Sequence, residues 1–156
     1  MMTRLNSRIA IIEHHARDIG LLGLRIWLAY EFGFAGWTKL QNLQAPQWFI
    51  ELTFPAPLHL LNANFNWLSA GLMEASLSLL LLLGVGSRFA SLGLLFVTYV
   101  AIYTVHFDLG WTGWNQIETD QGQGFKVPLM LALMLLTILT QGPGRFAWSM
   151  TKESID

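Results

Sequence analysis

The chain lacks cysteine altogether, so its 156 residues hold no disulfide, thiol nucleophile, thiolate metal site or covalent c-type haem attachment. Charge is also scarce. Only 12% of residues are Asp, Glu, Lys or Arg, against about a quarter in an ordinary soluble domain. The formal net charge is -1, so the basic surface that nucleic-acid binding requires is missing. Glycine-rich phosphate loops, HExxH, and any Ser/His/Asp arrangement that spacing alone would support are absent too.

What is present is hydrocarbon. Hydrophobic residues make up 53% of the chain, and the mean hydropathy is +0.45. Four apolar segments, about residues 19–40, 66–83, 88–106 and 125–141, are each near the length of a bilayer-crossing helix. The expected architecture is all-α: a single integral-membrane domain over 1–156, built as a four-helix bundle. Gly84-Val-Gly-Ser87 is a tight turn, so the second and third segments should be antiparallel neighbours. Gly142-Pro-Gly144 stops the fourth.

Orientation follows from Lys and Arg near the spans. Arg4, Arg8, Arg17, Arg88, Arg145 and Lys152 fall on one side; Lys39 and Lys126 fall on the other. Both termini are therefore expected in the cytoplasm. Residues 1–18 do not read as a cleavable signal, because the apolar run that follows is long and contains Arg25 and Glu31. They are expected to form a short amphipathic helix, with His14 and His15 solvated. On the outer side, residues 47–54 (QWFIELTF) lie between Pro46 and the pair Pro55 and Pro57. They read as an amphipathic interfacial segment between the first two spans, either a membrane-resting cover or a lid over a ligand.

Ionisable groups inside a bilayer are costly and are functional candidates by default. Arg25, Glu31 and Glu74 lie within the segments; Lys39, Arg88 and His106 lie near their ends. Glu31, Glu74 and Tyr99 fall at similar depth at a rise of about 1.5 Å per residue. Helical spacing groups Tyr99, Tyr103 and His106, with Phe96 extending the stripe inward. It also groups Trp67, Gly71, Glu74 and Ser78, then Trp27, Glu31, Phe34 and Thr38, then Met130, Met134, Thr137 and Gln141. Each polar or aromatic stripe is expected to face the bundle interior, since lipid cannot satisfy polar atoms. Arg25 has a structural alternative, pairing with Glu74 or Glu31 to hold the bundle together. Of the four histidines only His106 lies near a span, so no haem or metal site is expected.

These features, in order, resemble the DoxX family of small four-helix membrane proteins. The resembling pieces are Arg25, then Phe34-Ala-Gly-Trp-Thr-Lys-Leu40, Glu74, Leu80-Leu-Leu-Leu-Gly-Val-Gly-Ser-Arg-Phe-Ala90, His106 and Gly142-Pro-Gly-Arg145. The resemblance implies Arg25, Gly36, Lys39, Glu74, Arg88 and His106 as family-pattern positions. It also implies a multi-pass bacterial inner-membrane protein linked to redox systems; one branch, the DoxD type, feeds electrons from thiosulfate to quinone, and other members accompany stress proteins. Related four-helix proteins of the vitamin K epoxide reductase type use cysteine pairs, which this chain lacks. Glu31 and the loop VHFDLGWTGWNQ (105–116) stand outside the general pattern.

That loop reads in two ways. Trp111 and Trp114 form an aromatic anchor, or they wall an outer pocket with Lys39 and His106, with Asp108 placed to pair with Lys39. Such a pocket suits a flat amphipathic ligand such as a quinone headgroup. The expected function is thus a redox-linked subunit that binds quinone and works with a partner oxidoreductase, accessory rather than independently catalytic. Glu74, His106 and Glu31 are the proton-handling candidates; Arg25, Lys39, Glu74, Tyr99, Tyr103, His106, Trp111 and Trp114 are the ligand-binding candidates. The alternative is a non-catalytic membrane anchor or assembly partner for a periplasmic or soluble protein of a stress or metal-handling system. A proton-coupled carrier ranks last, because the two halves show no convincing similarity. The bilayer is the first partner, and a homodimer is compatible with a unit this small.

Overall fold

The computed structural model describes residues 2–148, with the stretch before Asp18 given essentially as helical backbone. Lys152 and the side chains of Arg4, Arg8, His14, His15 and Arg17 lie outside the described residues. Helix α1 (Met2–Gln41) is continuous and contains the first apolar segment; α3 (Ala63–Leu83), α4 (Ser87–Val105) and α5 (Lys126–Gln141) contain the others. Between α1 and α3 lies the short helix α2 (Gln47–Ile50), followed by a 3-10 turn at Leu58–Leu60. Between α4 and α5 lie a second 3-10 turn, Gly110–Asn115, and a two-strand hairpin of β1 (Glu118–Thr119) and β2 (Gly122–Gln123). The strands are antiparallel, with Glu118 opposite Gln123 and Thr119 opposite Gly122.

Among the described residues three helices are long and apolar enough to cross a membrane: 18–41 of α1, then α3 and α4. Helix α5 is apolar but has 16 residues, about 24 Å against a hydrocarbon core of about 30 Å. Outward faces carry large apolar side chains in quantity, among them Ile26, Phe34, Leu72, Leu79, Phe89, Leu92 and Leu133. Water would disfavour so much contiguous apolar surface. Hydroxyls on these faces are satisfied within their own helices. Ser76, Thr137 and Thr140 each donate to the carbonyl four residues back, at 2.6, 2.9 and 2.8 Å. That is the local solution open to a hydroxyl with no water at hand.

The helices form a closed circuit in which α1 packs on α3, α3 on α4, α4 on α5 and α5 on α1. Their common core is Leu28 and Phe32 of α1, Leu77 and Leu81 of α3, Ala90 and Leu94 of α4, and Leu135 and Ile138 of α5. It occupies the half of the bundle nearer the Gly84 turn. Gly84 ends α3 at φ +82°, and a Cβ there would lie 2.6 Å from Ala147 Cα and 2.7 Å from an Arg25 nitrogen. Both backbone conformation and space therefore call for glycine at that position.

The tightest helix contact joins α1 and α3, which run antiparallel. A Cβ on Gly36 would lie 2.6 Å from the Ala75 nitrogen and 2.8 Å from the Gly71 oxygen; one on Gly71 would lie 2.9 Å from Lys39 Cβ. The two backbones approach because neither has a side chain at the crossing. Gly36→Leu and Gly71→Leu are each expected to destabilise the protein by about 1–3 kcal/mol or more. Gly20→Ala, where nothing lies within 4 Å, should be neutral or slightly stabilising. Thermal unfolding of the purified proteins in mild detergent checks this, and equal midpoints for all three variants would refute it.

Candidate functional site

The Gly36–Gly71 crossing sets up an ion pair. Lys39 lies one turn beyond Gly36 and Glu74 one turn beyond Gly71, so each charged stem packs at the other helix's glycine. Lys39 Nζ meets Glu74 Oε2 at 2.7 Å, with side-chain exposures of 19% and 8%. Lys39 thus pairs with Glu74 rather than with Asp108, whose Oδ2 accepts from the Gln123 backbone N–H at 3.0 Å and ties the hairpin to the end of α4. The ammonium also lies 5.8 Å from the centre of the Trp67 ring. Trp67 Nε1 donates to the Lys39 and Asn42 carbonyls at 3.1 and 2.7 Å. Both carbonyls lie at the C-terminal end of α1, and that of Lys39 also accepts from the Asn42 N–H at 3.2 Å, so the indole helps cap the helix.

Above the pair the chain between α1 and α3 folds back over the bundle. Phe49 packs against Trp67 and Phe54 with ring centres 4.9 and 5.2 Å apart. Asn64 Oδ1 accepts from the Ala45 N–H at 2.8 Å, and Asn66 Nδ2 donates to the Leu58 carbonyl at 3.0 Å. Under this roof lies a cavity of about 270 Å³. Its back wall is Lys39 and Glu74; its sides come from α3 (Asn66 to Glu74) and α4 (Phe96 to Val105), with His106 at the top; its roof is Trp48, Phe49, Phe54 and Leu58. The lining is overwhelmingly apolar and aromatic. Asn66 and His106 each keep one buried polar atom, Oδ1 and Nδ1, without a hydrogen-bond partner. Groups of His, Asp and Glu able to hold a metal ion are absent among the described residues.

The site residues expected from sequence divide into those at this cavity and those elsewhere. Lys39, Glu74 and His106 line it. Tyr99 and Tyr103 do not; they turn outward, 54% and 49% exposed. Trp111 and Trp114 are 80% and 59% exposed and form no part of the wall; Trp111 packs on Phe107 and Phe125 instead. Glu31 is half-buried on an outer edge of α1, beside the exposed Trp27 and Phe34. The stripe containing it therefore faces away from the core, and the buried stripe of α1 is Leu21, Arg25, Leu28, Phe32 and Gly36. The segment 47–54, which the sequence leaves as either a cover or a lid, supplies Trp48, Phe49 and Phe54 to the lining, while Leu58 and Asn66 join it with no mark in the sequence pattern.

Arg25 belongs to the opposite end of the bundle and meets neither Glu74 nor Glu31. Its guanidinium donates to four main-chain carbonyls: Leu81 and Leu82 at 2.8 and 2.6 Å, Pro143 and Phe146 at 3.1 and 3.2 Å. It caps the last turn of α3 and clamps the segment after α5, where a cation is favoured by the helix dipole. The same segment is held by the Arg145 N–H donating to Asp18 at 3.2 Å and the Trp148 N–H donating to Leu83 at 3.1 Å.

Fold and site together describe a small polytopic helical membrane protein with an ion pair and an apolar cavity at one end. The profile of the DoxX family matches residues 20–107, and the chain belongs to that family. A relative from Haemophilus influenzae, described as an uncharacterized protein, is 36% identical over 131 residues, which cover 83% of this chain and 80% of the relative. No solved structure matches.

Two outcomes follow from this geometry. Arg25→Met strips the charged donors from four carbonyls and should cost about 3–5 kcal/mol; Arg25→Lys should recover part of it, as read from unfolding midpoints in detergent. At the other end, Lys39→Met or Glu74→Met alone leaves a buried charge unpaired, also costing about 3–5 kcal/mol. The double variant should be markedly more stable than either single one. A double variant at or below the less stable single variant would show that the pair's energetics lie elsewhere.

Proposed function

We propose that this protein is a redox-linked subunit of the bacterial inner membrane that holds a quinone or similar lipid-soluble carrier in the Lys39–Glu74 cavity and works with a partner oxidoreductase. In this reading α1, α3, α4 and α5 all cross the bilayer, α5 by local thinning. Both termini lie in the cytoplasm, and the roof over the cavity rests in the outer interface. The observation that carries the proposal is the lining of the cavity, with aromatic and aliphatic walls and a few polar groups gathered at Lys39, Glu74, Asn66 and His106. Pockets of this make-up accept flat, largely apolar ligands and fix their orientation through a few hydrogen bonds.

The residues fit such a group. Phe49, Phe54 and Phe96 offer ring faces or edges, and Lys39 Nζ is a donor for a ring carbonyl. The buried polar atoms of Asn66 and His106 stand at the opposite, upper end. A bound quinone would supply two-electron, two-proton chemistry. The chain's own part is to seat the ring, exclude water and hold a proton on Lys39 Nζ beside Glu74. With no cysteine pair in the sequence, electrons come from the partner.

The test is a solvent extract of protein purified in mild detergent, examined by absorbance and mass spectrometry. Near-stoichiometric quinone is expected, falling at least several-fold in Lys39→Met and His106→Ala preparations that remain folded. Quinone no higher than in an unrelated membrane protein prepared alike would refute the proposal. The exposure of Trp111 and Trp114 favours a second reading, a membrane anchor for a soluble or periplasmic protein. Its sign would be a co-purifying partner lost on Trp111→Ala/Trp114→Ala while Lys39→Met retains it.

A further inference from the structure

We infer that the cavity opens sideways, between α3 and α4, into the hydrocarbon of the bilayer half on the Lys39 side, and that its ligand is a tailed amphiphile that enters from lipid and leaves its tail in the gap. This rests on the reading of the cavity as a ligand site in a membrane-spanning bundle.

The geometry begins at the far end. α3 and α4 are joined by the short Gly84–Gly86 turn and pressed together at Leu77 and Gly93, where a Cβ on Gly93 would lie 2.5 Å from Leu77 Cδ1. The hairpin is pinned there. Towards the Lys39 end its two arms no longer fill the space between them, and the cavity occupies the opening. Three sides of that opening are closed. Lys39 and Glu74 of the α1–α3 contact close the back, the core closes the bottom, and the roof closes the top, held by the Trp67 indole, by Asn66 and by Phe49 packing. Helix α5 contributes no residue to the lining. The remaining side is the gap between Ser69 and Met73 of α3 and Phe96 and Val100 of α4. All four are partly accessible, and Phe96 is 48% exposed.

Depth decides what this gap faces. Ser69 and Met73 lie about 9 and 15 Å along α3 from its start at Ala63. Val100 and Phe96 lie about 8 and 14 Å back from the end of α4 at Val105. Both walls place the mouth at the same level, well inside a hydrocarbon core about 30 Å thick. A water-soluble molecule has no path to it at that depth. A lipid-soluble ring with an apolar tail does: its ring reaches Lys39 and its tail stays between Met73 and Phe96.

The absence of cysteine makes the test direct, because a single introduced cysteine is the sole attachment point for a nitroxide. Labels at Ser69→Cys and Val100→Cys in nanodiscs should collide with oxygen more than with a water-soluble nickel chelate, like a label at the lipid-facing Leu72→Cys and unlike one at the loop position Gln121→Cys. In the same nanodiscs a decyl-tailed benzoquinone should bind at least as tightly as tetramethylbenzoquinone, which has no tail, at equal membrane mole fraction. A nickel-dominated signal at both gap positions, or a tenfold or greater loss of affinity on adding the tail, would overturn the inference. Lipid-like collisions with neither quinone bound would leave the sideways mouth standing and fail the quinone reading instead.

Discussion

The close crossing of α1 and α3 is the constraint from which the rest of the Lys39 end follows. Two facing glycines let the backbones touch, and each helix then sends a charged side chain across the other's glycine. A glutamate eleven residues into α3, and a lysine in the last turn of α1 whose ammonium reaches back to it, would each be costly in hydrocarbon alone. Joined at 2.7 Å they neutralise one another. Because the pair consumes the polar capacity of the crossing, the space beside it is lined by apolar and aromatic groups, and a cavity with a polar back wall results.

The two ends of the bundle solve the same problem differently. At the Gly84 end the polar groups needing partners are main-chain carbonyls at the end of α3 and after α5, and one buried arginine serves four of them. The buried hydroxyls of Ser87 and Ser91 are the polar atoms left without a partner there, and the core packs around Leu28, Leu81, Leu94 and Ile138. At the Lys39 end the indole of Trp67 caps α1 and the intervening chain forms a roof, but the α3–α4 hairpin is spread. One end is therefore tied together through main-chain carbonyls, and the other encloses a chamber.

How much of this could be seen beforehand varied from residue to residue. The apolar runs, the Gly84 turn and the DoxX resemblance were plain from residue type and order. The stripe Trp67, Gly71, Glu74 and Ser78 is buried, and its mixture of small and charged residues is what a helix contact in lipid demands. The same reasoning misplaced the stripe of α1 through Trp27 and Phe34 and that of α4 through Tyr99 and Tyr103. Aromatic side chains are as comfortable facing lipid as facing protein, so their periodicity does not report the inward side. Arg25 was recognisable as a buried cation, but its partners were sought among carboxylates. Backbone carbonyls at helix ends leave no mark in residue type.

The sequence by itself determined that this is a helical membrane protein without thiol chemistry. Chain-wide hydropathy and the absence of cysteine are properties of composition, and bilayer thickness turns apolar length into crossing helices. Which charges meet, which aromatics turn inward, and that a chamber exists beside Lys39 and Glu74 were decided only by the tertiary structure. Those outcomes depend on the rotation of each helix about its axis and on the crossing distance set by Gly36 and Gly71, quantities to which local periodicity is blind.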